Sequence, residues 1–358
     1  MADVPRVLVT GASGYIATHV VQQLLRTGQY KVRGTVRSLK NPKKVDPLRK
    51  LVSQPKYELE LVEADLEKEA GWYEAVKGCT YVMHMASPLP LENPENEDEV
   101  IKPAVEGTLK VLKAVREVGG IKRVVLTSSV AAVSGGFTGG TRPYTEADWT
   151  DMTQKGMLAY IKSKALAERA AWDYLKKIPE NERFEMAVIN PVGVCGPALC
   201  GGIGSSMEIC LRFLENKMPG VPKVSFPFTD VRDVATAHLR AMEIPEAANN
   251  RHIISTDSIW MQDMGKVFSE EFKPLGYKVP TGTVPKAVIV VGSWFDKTMK
   301  SVLPSIGKIT EFDNSRMRNV LGIDPIDIKT SLIEMGHSLI QGGHVKMTDQ
   351  YKKAYPGK

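Results

Sequence analysis

Short apolar runs alternate with segments of helical periodicity along the first 190 residues. Six apolar runs predict buried β-strands: 6–10, 31–36, 57–62, 81–85, 123–127 and 184–189. Helical periodicity marks residues 15–26, followed by Gly28 as a helix end, and again residues near 99–118 and 157–177. Because strands alternate with helices, the pattern predicts an α/β fold with a doubly wound parallel sheet.

The last hundred residues lack this alternation. Prolines interrupt them repeatedly, at Pro274, Pro280, Pro285, Pro304 and Pro325. Such spacing predicts short helices and loops, and therefore a different kind of structure from the first half.

One stretch, 186–207, carries no charged residue. It contains two prolines and a glycine-rich run, which a membrane-spanning helix would not tolerate, so we expect a buried strand that continues into a buried loop. The N-terminus has an acid and no apolar core of a signal peptide, and the four cysteines form no C-x-x-C pair. These features predict a cytoplasmic protein with reduced thiols and no membrane partner.

The composition is ordinary apart from its charge. The chain has 358 residues, 47 Lys and Arg, 41 Asp and Glu, and a net charge of +6. Residues 31–56 hold nine of these cations against a single acid, Asp46, so this segment carries +8 and the remainder −2. A local patch of this kind favours a small anionic ligand over nucleic acid or a membrane surface.

The strongest local motif is Thr10-Gly11-Ala12-Ser13-Gly14-Tyr15-Ile16-Ala17, between a predicted strand and a predicted helix. Gly11 permits a tight turn, Gly14 lets the backbone approach a pyrophosphate, and Ala17 is small enough for close helix packing. The free N–H groups of the helix start attract the anion. The motif therefore predicts dinucleotide binding.

The end of the second predicted strand indicates which dinucleotide. NAD sites place an acid there, whereas this strand ends Thr35-Val36-Arg37-Ser38 with no acid. Arg37 can bind a 2′-phosphate and stack on adenine, and Lys44 follows in the loop. We therefore predict NADP. Asp65, after the third strand, is either an adenine ligand or a helix cap, two roles that the sequence does not separate.

A candidate catalytic set follows the fifth strand. Ser129 ends that strand, and Tyr160 and Lys164 lie 31 and 35 residues later, where four residues of separation place them on one helix face. A lysine cation lowers the pKa of a neighbouring phenol, which can then exchange a proton with a carbonyl or alcohol oxygen. Ser129 would hydrogen-bond the same oxygen.

The Tyr-x-x-x-Lys spacing alone is weak evidence. Chance gives about one such pair in a chain of this Tyr and Lys content, and two occur, the second being Tyr73–Lys77. Only Tyr160–Lys164 follows a serine-rich strand end. No metal site, P-loop or nucleophile elbow is found. His84 and His238 lie in apolar surroundings and are expected to be core residues.

Several strings together resemble the extended short-chain dehydrogenase/reductases. Within that superfamily the chain resembles the group of dihydroflavonol 4-reductase, cinnamoyl-CoA reductase and methylglyoxal or aldehyde reductases. The strings are TGASGYIA, VRGTVRS, ADL, MASP, KPAVEGTLKVL, VVLTSS, YIKSK, INPVGVCGP and FTDVRDVATAHLRAM, which cover residues 6–245 in the family's order. The resemblance departs at Glu106, where many relatives have Asn, and at Val192–Val194, where many have bulkier residues.

The resemblance implies a Rossmann-type domain of residues 1–195, rejoined by about 226–257. A smaller, mainly C-terminal substrate domain would comprise 196–225 and 258–358. It also implies catalytic roles for Ser129, Tyr160 and Lys164. The implied NADP-binding residues are Gly11, Ser13, Gly14, Tyr15, Ile16, Arg37, Lys44, Asp65, Leu66, Met85, Ala86, Ser87, Thr127, Tyr160, Lys164, Pro191, Val192, Gly193, Val194 and Ser206.

These expectations combine into NADPH-dependent reduction of a small-molecule aldehyde or ketone by a monomer or homodimer. The alternatives are a hydroxysteroid dehydrogenase, a sugar-nucleotide epimerase or dehydratase, and a non-enzymatic NADP-sensing regulator. Candidates for an apolar substrate wall are Phe137, Trp149, Met152, Met207 and Phe226.

Overall fold

The computed structural model describes residues 3–88, 96–154, 156–200, 204–218, 220–294 and 302–357. In chain order its strands are β1 Arg6–Val9, β2 Lys31–Val36, β3 Glu60–Glu63, β4 Tyr81–His84, β5 Arg123–Thr127, β6 Glu185–Pro191, β7 Gly193–Cys195, β8 Val221–Pro222, β9 Ser225–Asp230, β10 Arg251–Ile254, β11 Asp257–Trp260 and β12 Thr283–Val284.

The helices surround these strands. They are α1 Tyr15–Thr27, α2 Pro42–Arg49, α3 Trp72–Val76, α4 Asp98–Val118, α5 Ala159–Lys177, α6 Ser205–Leu214, α7 Val231–Glu243, α8 Met261–Phe272, α9 Lys286–Gly292, α10 Ser315–Asn319, α11 Ile328–Gln341 and α12 Asp349–Ala354. Each helix in the first 190 residues that the sequence predicted is present, with small shifts at its ends.

The central sheet of the described chain is fully parallel, in the order β3-β2-β1-β4-β5-β6-β10. The order reverses between β1 and β4, which makes this a Rossmann-type sheet with its switch point beside the glycine-rich turn. The predicted fold class is confirmed. The edge strand β10 was not predicted, since its four residues, Arg251 to Ile254, include two polar side chains and form too short an apolar run.

Successive side chains of β1 point alternately into two cores, one on each face of the central sheet. Val7 and Val9 pack with α1 and α7 on one face of the sheet. Leu8 faces the opposite core, which α4 and α5 complete. Because both faces are covered by helices, the strands are buried on both sides, which explains their nearly continuous apolar sequences.

A separate core lies beyond β6, away from the two faces of the central sheet, and is called the second core below. It packs α6, α8 and α11 together with the three-stranded sheet β11-β9-β7. Much of 196–225 and 258–358 belongs to this core, although Met317, Leu321 and Ile323 pack against the central sheet instead. The division into two domains stays a prediction. The fourteen-residue α11 is longer than the short helices expected for this region.

The uncharged stretch 186–207 forms most of β6, then β7, then an irregular segment over 196–200, and its last three residues begin α6. This agrees with the expected strand and loop where the structure describes it. No helix in the described part of the chain has both the length and the hydropathy to cross a membrane.

The cations of the basic segment 31–56 do not all lie on one surface patch. Arg33 is buried in β2, where its guanidinium contacts Glu60 and donates to carbonyl oxygens of Glu74, Ala75 and Lys77 at the end of α3. Counting Arg33 as part of a solvent-exposed patch was therefore wrong. Its cation supports the fold, while Arg37 at the end of the same strand is exposed.

Three buried histidines are kept neutral by desolvation. Burial lowers the pKa of His84 to about 3 and those of His238 and His252 to about 4. His238 is fully hydrogen-bonded, to Val234 O at 2.7 Å and to Thr127 Oγ1 at 2.7 Å. His84 lies in the core as expected, with only Nδ1 paired.

These histidines predict acid sensitivity of the fold. Their folded pKa values lie below the unfolded value of about 6.5, so the unfolded chain binds more protons as the pH falls below about 6.5. Between pH 7 and pH 5 the free energy of unfolding should fall by about 2 kcal/mol for each histidine.

Urea unfolding at both pH values measures this loss. His238→Gln, which removes one of these three groups, should reduce it. Equal stability of the unmodified protein at pH 7 and pH 5 would contradict the assignment.

Candidate active site

A cleft of about 1150 Å³ opens at the carboxyl edge of the central sheet. It begins at the glycine-rich turn after β1 and continues past the ends of β4, β5 and β6 to the second core. This is the edge where open parallel sheets bind ligands, beside the point at which strand order reverses.

The glycine-rich turn has the geometry that its residues predicted. Gly11 has a φ of +64°, its N–H donates to Thr35 Oγ1 at 2.9 Å, and Gly14 N–H donates back to Gly11 O at 2.9 Å. A Cβ on Gly11 would lie 3.1 Å from Ala86 Cα, and one on Gly14 would lie 3.2 Å from Gly11 O. The absent side chains leave the start of α1 open to the cleft, whose lining includes Ser13, Gly14, Tyr15 and Ile16.

The buried Thr10 hydroxyl joins this turn to β4. Its oxygen accepts from Met85 N at 3.0 Å and Ala86 N at 2.9 Å, so its own proton must go to His84 Nδ1 at 3.0 Å. The histidine is neutral, and its remaining hydrogen is therefore on Nε2. These three hydrogen bonds, called the Thr10 hub below, fix the ends of β1 and β4. They thereby also fix Met85 and Ser87, which line the cleft.

Ser129, Tyr160 and Lys164 come together on the wall of the cleft. Ser129 follows β5, and its Oγ caps a short 3₁₀ turn by accepting from Ala131 N at 3.1 Å. Tyr160 and Lys164 lie one turn apart at the start of α5, with the Lys164 Nζ 5.9 Å from the phenol ring centroid. The structure thus brings together the three residues predicted to be catalytic.

The electrostatics of this trio differ from the expectation. Burial raises the pKa of Tyr160, which a hydrogen bond with Ser129 opposes, whereas the sequence argument expected Lys164 to lower it. Burial also lowers the pKa of Lys164 to about 8, against the nearby carboxylate of Glu168, which raises it. The cleft therefore holds a protonated phenol beside a lysine whose pKa is about 8.

Of the two cations predicted to bind a 2′-phosphate, one is among the residues that line the cleft. Lys44 lines it, and Arg37 stands exposed at the end of β2. The remaining adenine-side candidates do not line the cleft. Asp65 Oδ1 accepts from Glu67 N in a local turn, and Leu66 packs within 3.0 Å of the position a Cβ on Gly107 would occupy. Asp65 is therefore not a helix cap, since the next helix is capped at Gly71, and its contact with adenine stays a prediction.

The opposite wall follows β6. Pro191 to Val194, Thr127 and Ser206 all line the cleft, and Ser206 Oγ accepts from Val194 N at 3.2 Å. Gly193 has no room for a side chain, since a Cβ there would approach Pro227 O to 2.9 Å. The close approach of β9 therefore requires glycine at this position.

The apolar wall contains two of the five candidates. Phe137 and Phe226 line the cleft with ring centroids 6.1 Å apart. Met207 is fully buried in the second core, and Trp149 stacks on Arg251 at 3.9 Å in a different part of the molecule. These two, and Met152, which is absent from the cleft lining, were wrong predictions. Glu106 is also remote, being exposed on α4.

Sequence reasoning missed the residues that support the trio. Glu168, Asn190 and Arg251 form a buried cluster beneath it, and no local motif marked them because they lie on different elements. The only signal was the four-residue spacing from Lys164 to Glu168, which continues the Tyr160–Lys164 face.

Comparison with known proteins finds one matching family and several similar reductases. Residues 7–255 match the model of the NAD dependent epimerase/dehydratase family. Cinnamoyl-CoA reductase of Medicago truncatula is 41% identical over 254 residues, covering 69% of this chain and 75% of that protein. The putative NADPH-dependent methylglyoxal reductase of Candida albicans is 33% identical over 357 residues, covering 93% and 97%.

Solved structures show the same likeness. Yeast methylglyoxal/isovaleraldehyde reductase complexed with NADPH superposes with a TM-score of 0.77 at 27% identity, covering 95% of this chain and 99% of that one. The chain belongs to the NAD dependent epimerase/dehydratase family. Within it, the chain groups with the cinnamoyl-CoA and methylglyoxal reductase-like members, as the sequence resemblance predicted.

The Thr10 hub yields a direct test. Thr10→Val keeps the shape of the side chain but leaves two backbone N–H groups and His84 Nδ1 without their partner. Each unpaired group costs about 1–3 kcal/mol, so we expect the free energy of unfolding to fall by at least about 2 kcal/mol. Thr236→Val, which removes a local hydroxyl bond to Arg232 O and a longer 3.4 Å contact with Gln23 Oε1, is the matched control and should cost much less. Equal losses in the two variants would contradict the role of the hub.

Proposed function

We propose that the protein is an NADPH-dependent oxidoreductase that reduces an aldehyde or ketone to the alcohol. The observation that carries this proposal is the convergence of Ser129, Tyr160 and Lys164 on the wall of a cleft that begins at the glycine-rich turn. The two NADPH-linked relatives named above are consistent with it.

The cleft fits an NADP molecule on structural grounds. Gly11 and Gly14 leave the approach to α1 free of side chains, and no acid stands in the first turn of that thirteen-residue helix. A pyrophosphate would therefore meet unopposed N–H groups and the positive end of the helix. Arg37 and Lys44 would hold the 2′-phosphate, and the residues at the end of β6 would back the nicotinamide.

The three polar residues would divide the proton chemistry. When bound, NADPH supplies a hydride from nicotinamide C4 to the carbonyl carbon. Ser129 would donate a hydrogen bond to the carbonyl oxygen and hold it beside Tyr160. Tyr160 would give its phenolic proton to that oxygen, which completes the alcohol, and Lys164 would stabilise the phenolate that remains.

The pKa shifts of Tyr160 and Lys164 favour the reductive direction of the reaction. Because burial raises the pKa of Tyr160, the phenol is protonated at neutral pH and ready to donate. The pKa of Lys164 is about 8, so the ammonium that the phenolate requires is also largely present at neutral pH. Both groups are then in the form that the reductive direction needs.

The cleft also limits the substrate. Among its described lining residues only Lys44 and Lys164 are charged, and both lie where the proposal places the cofactor. Phe137, Phe226 and Val302 line the side toward the second core. We infer a carbonyl compound whose remaining groups are uncharged and apolar.

Replacing the proton donor tests the reaction. Tyr160→Phe should abolish reduction of a panel of aldehydes and ketones, followed by NADPH consumption, because no other group donates the proton. Binding of NADPH, followed by its fluorescence, should persist. Tyr73→Phe removes the phenol of the other Tyr-x-x-x-Lys pair, which is exposed, and should leave turnover unchanged. Full activity of Tyr160→Phe would exclude the mechanism.

Replacing the cation after β2 tests the cofactor. Arg37→Glu removes a charge-assisted pair with the 2′-phosphate and adds repulsion, so the preference for NADPH over NADH should fall at least about 10-fold. The ratio of kcat/KM for the two cofactors measures this. Lys50→Glu makes the same charge change at an exposed site just after α2 and should preserve the ratio. Equal use of both cofactors by the unmodified protein would contradict the assignment.

A further inference from the structure

A buried carboxylate lies one helical turn beyond the candidate catalytic lysine. The Glu168 side chain is fully buried on α5, on the face that carries Tyr160 and Lys164. One of its oxygens accepts from Ser128 Oγ at 2.6 Å and from Asn190 Nδ2 at 2.8 Å. The other accepts from Arg251 Nε at 2.6 Å and from Trp172 Nε1 at 3.3 Å.

These bonds join the elements that build the catalytic corner. Ser128 immediately precedes Ser129 after β5, and Asn190 lies at the end of β6. The Asn190 amide also donates to Ser129 O at 3.1 Å. The backbone of Ser129 is therefore held by Asn190, which is itself held by the carboxylate on the helix that carries Tyr160.

Arg251 provides the opposite charge. Only 7% of its side chain is exposed, and its guanidinium also donates to carbonyl oxygens of Ala132, Glu146 and Asp148. A buried ion pair of this kind contributes little net stability, because desolvation offsets the attraction. Its position beneath the candidate catalytic residues therefore points to a role other than stability.

We propose that Glu168 is a positioning residue that fixes the Ser129 hydroxyl relative to Tyr160 and Lys164. It reaches the site through Ser128 and Asn190 and contacts none of the reacting atoms. This inference rests on the proposed function, because the positioned groups are those assigned to proton transfer.

The same carboxylate acts on the lysine through its charge. The negative charge of Glu168 raises the pKa of Lys164 against the effect of burial. Among the described residues, His84 and Tyr160 are further titratable groups near this lysine, and burial keeps both uncharged at neutral pH. Removal of the Glu168 charge should lower the pKa of Lys164, so the ammonium would be lost at a lower pH.

Glu168→Gln tests the proposal against a matched control. Glu185→Gln removes the carboxylate that pairs with the buried Arg123, on the same strands β5 and β6 but at their amino ends. Both variants leave a buried arginine short of its partner, so both should lower the melting temperature. Only Glu168→Gln should lower kcat, by about 10- to 100-fold as for a misplaced catalytic group, with a smaller effect on the KM for the carbonyl substrate.

Two further readouts separate positioning from stability. The alkaline limb of the pH profile of kcat should move to lower pH in Glu168→Gln and stay in place in Glu185→Gln. In the cofactor-free protein, amide hydrogen exchange of residues 128–132 should accelerate only in Glu168→Gln. Wild-type kcat, pH profile and exchange in that variant would overturn the proposal, as would equal changes in both variants.

Asn190→Ala decides the matter if Glu168→Gln does not fold. It breaks the link from Glu168 to Ser129 O while leaving the ion pair with Arg251 intact, and should lower kcat about 10-fold and accelerate exchange at 128–132. Wild-type values in both would overturn the proposal. Absence of carbonyl reduction by the unmodified protein would instead contradict the proposed function, and the exchange measurements would still decide whether Glu168 positions the segment.

Discussion

Parallel strands can only be joined by long crossovers, and this constraint organises the whole molecule. Each crossover takes the chain back to the amino edge of the sheet, so the carboxyl ends of β1, β4, β5 and β6 all lie at the opposite edge. The glycine-rich turn, the Thr10 hub and Ser129 are then neighbours although they are distant in sequence. The helices that form the crossovers also cover both faces, which makes the sheet rigid enough to hold a site at its edge.

Burial sets the chemistry of that edge. Desolvation raises the pKa of Tyr160, so its phenol stays protonated. Desolvation also lowers the pKa of Lys164, and the negative charge of Glu168 partly opposes that decrease. The site therefore combines an apolar environment with the carboxylate of Glu168 beneath it, whose charge is paired with Arg251. Such an environment strengthens the interactions that form during a reaction more than water would. Charge and packing act together here, because the same carboxylate also joins α5 to the ends of β5 and β6.

The predictable and unpredictable parts of the structure follow a physical division. The six strands and the helices α1, α4 and α5 of the first 190 residues were predicted because each has an apolar run or a periodic pattern of its own, whereas the short helices α2 and α3 were not predicted. The edge strand β10 and the fourteen-residue α11 were not, since their stability comes from the partners on which they pack. Trp149 and Met207 were misplaced for the same reason, because an aromatic or apolar residue type does not show which of several cores it joins.

The sequence by itself determined the glycine-rich turn, the basic end of β2 and the order of Ser129, Tyr160 and Lys164. Each is local, fixed by conformational limits or by helix periodicity over a few residues. Only the tertiary structure decided that Arg33 is buried while Arg37 is exposed, and that Glu168 meets Arg251 across 83 residues of chain. Those contacts depend on which helix face and strand end the fold brings together, and on the desolvation that follows, neither of which a linear pattern encodes.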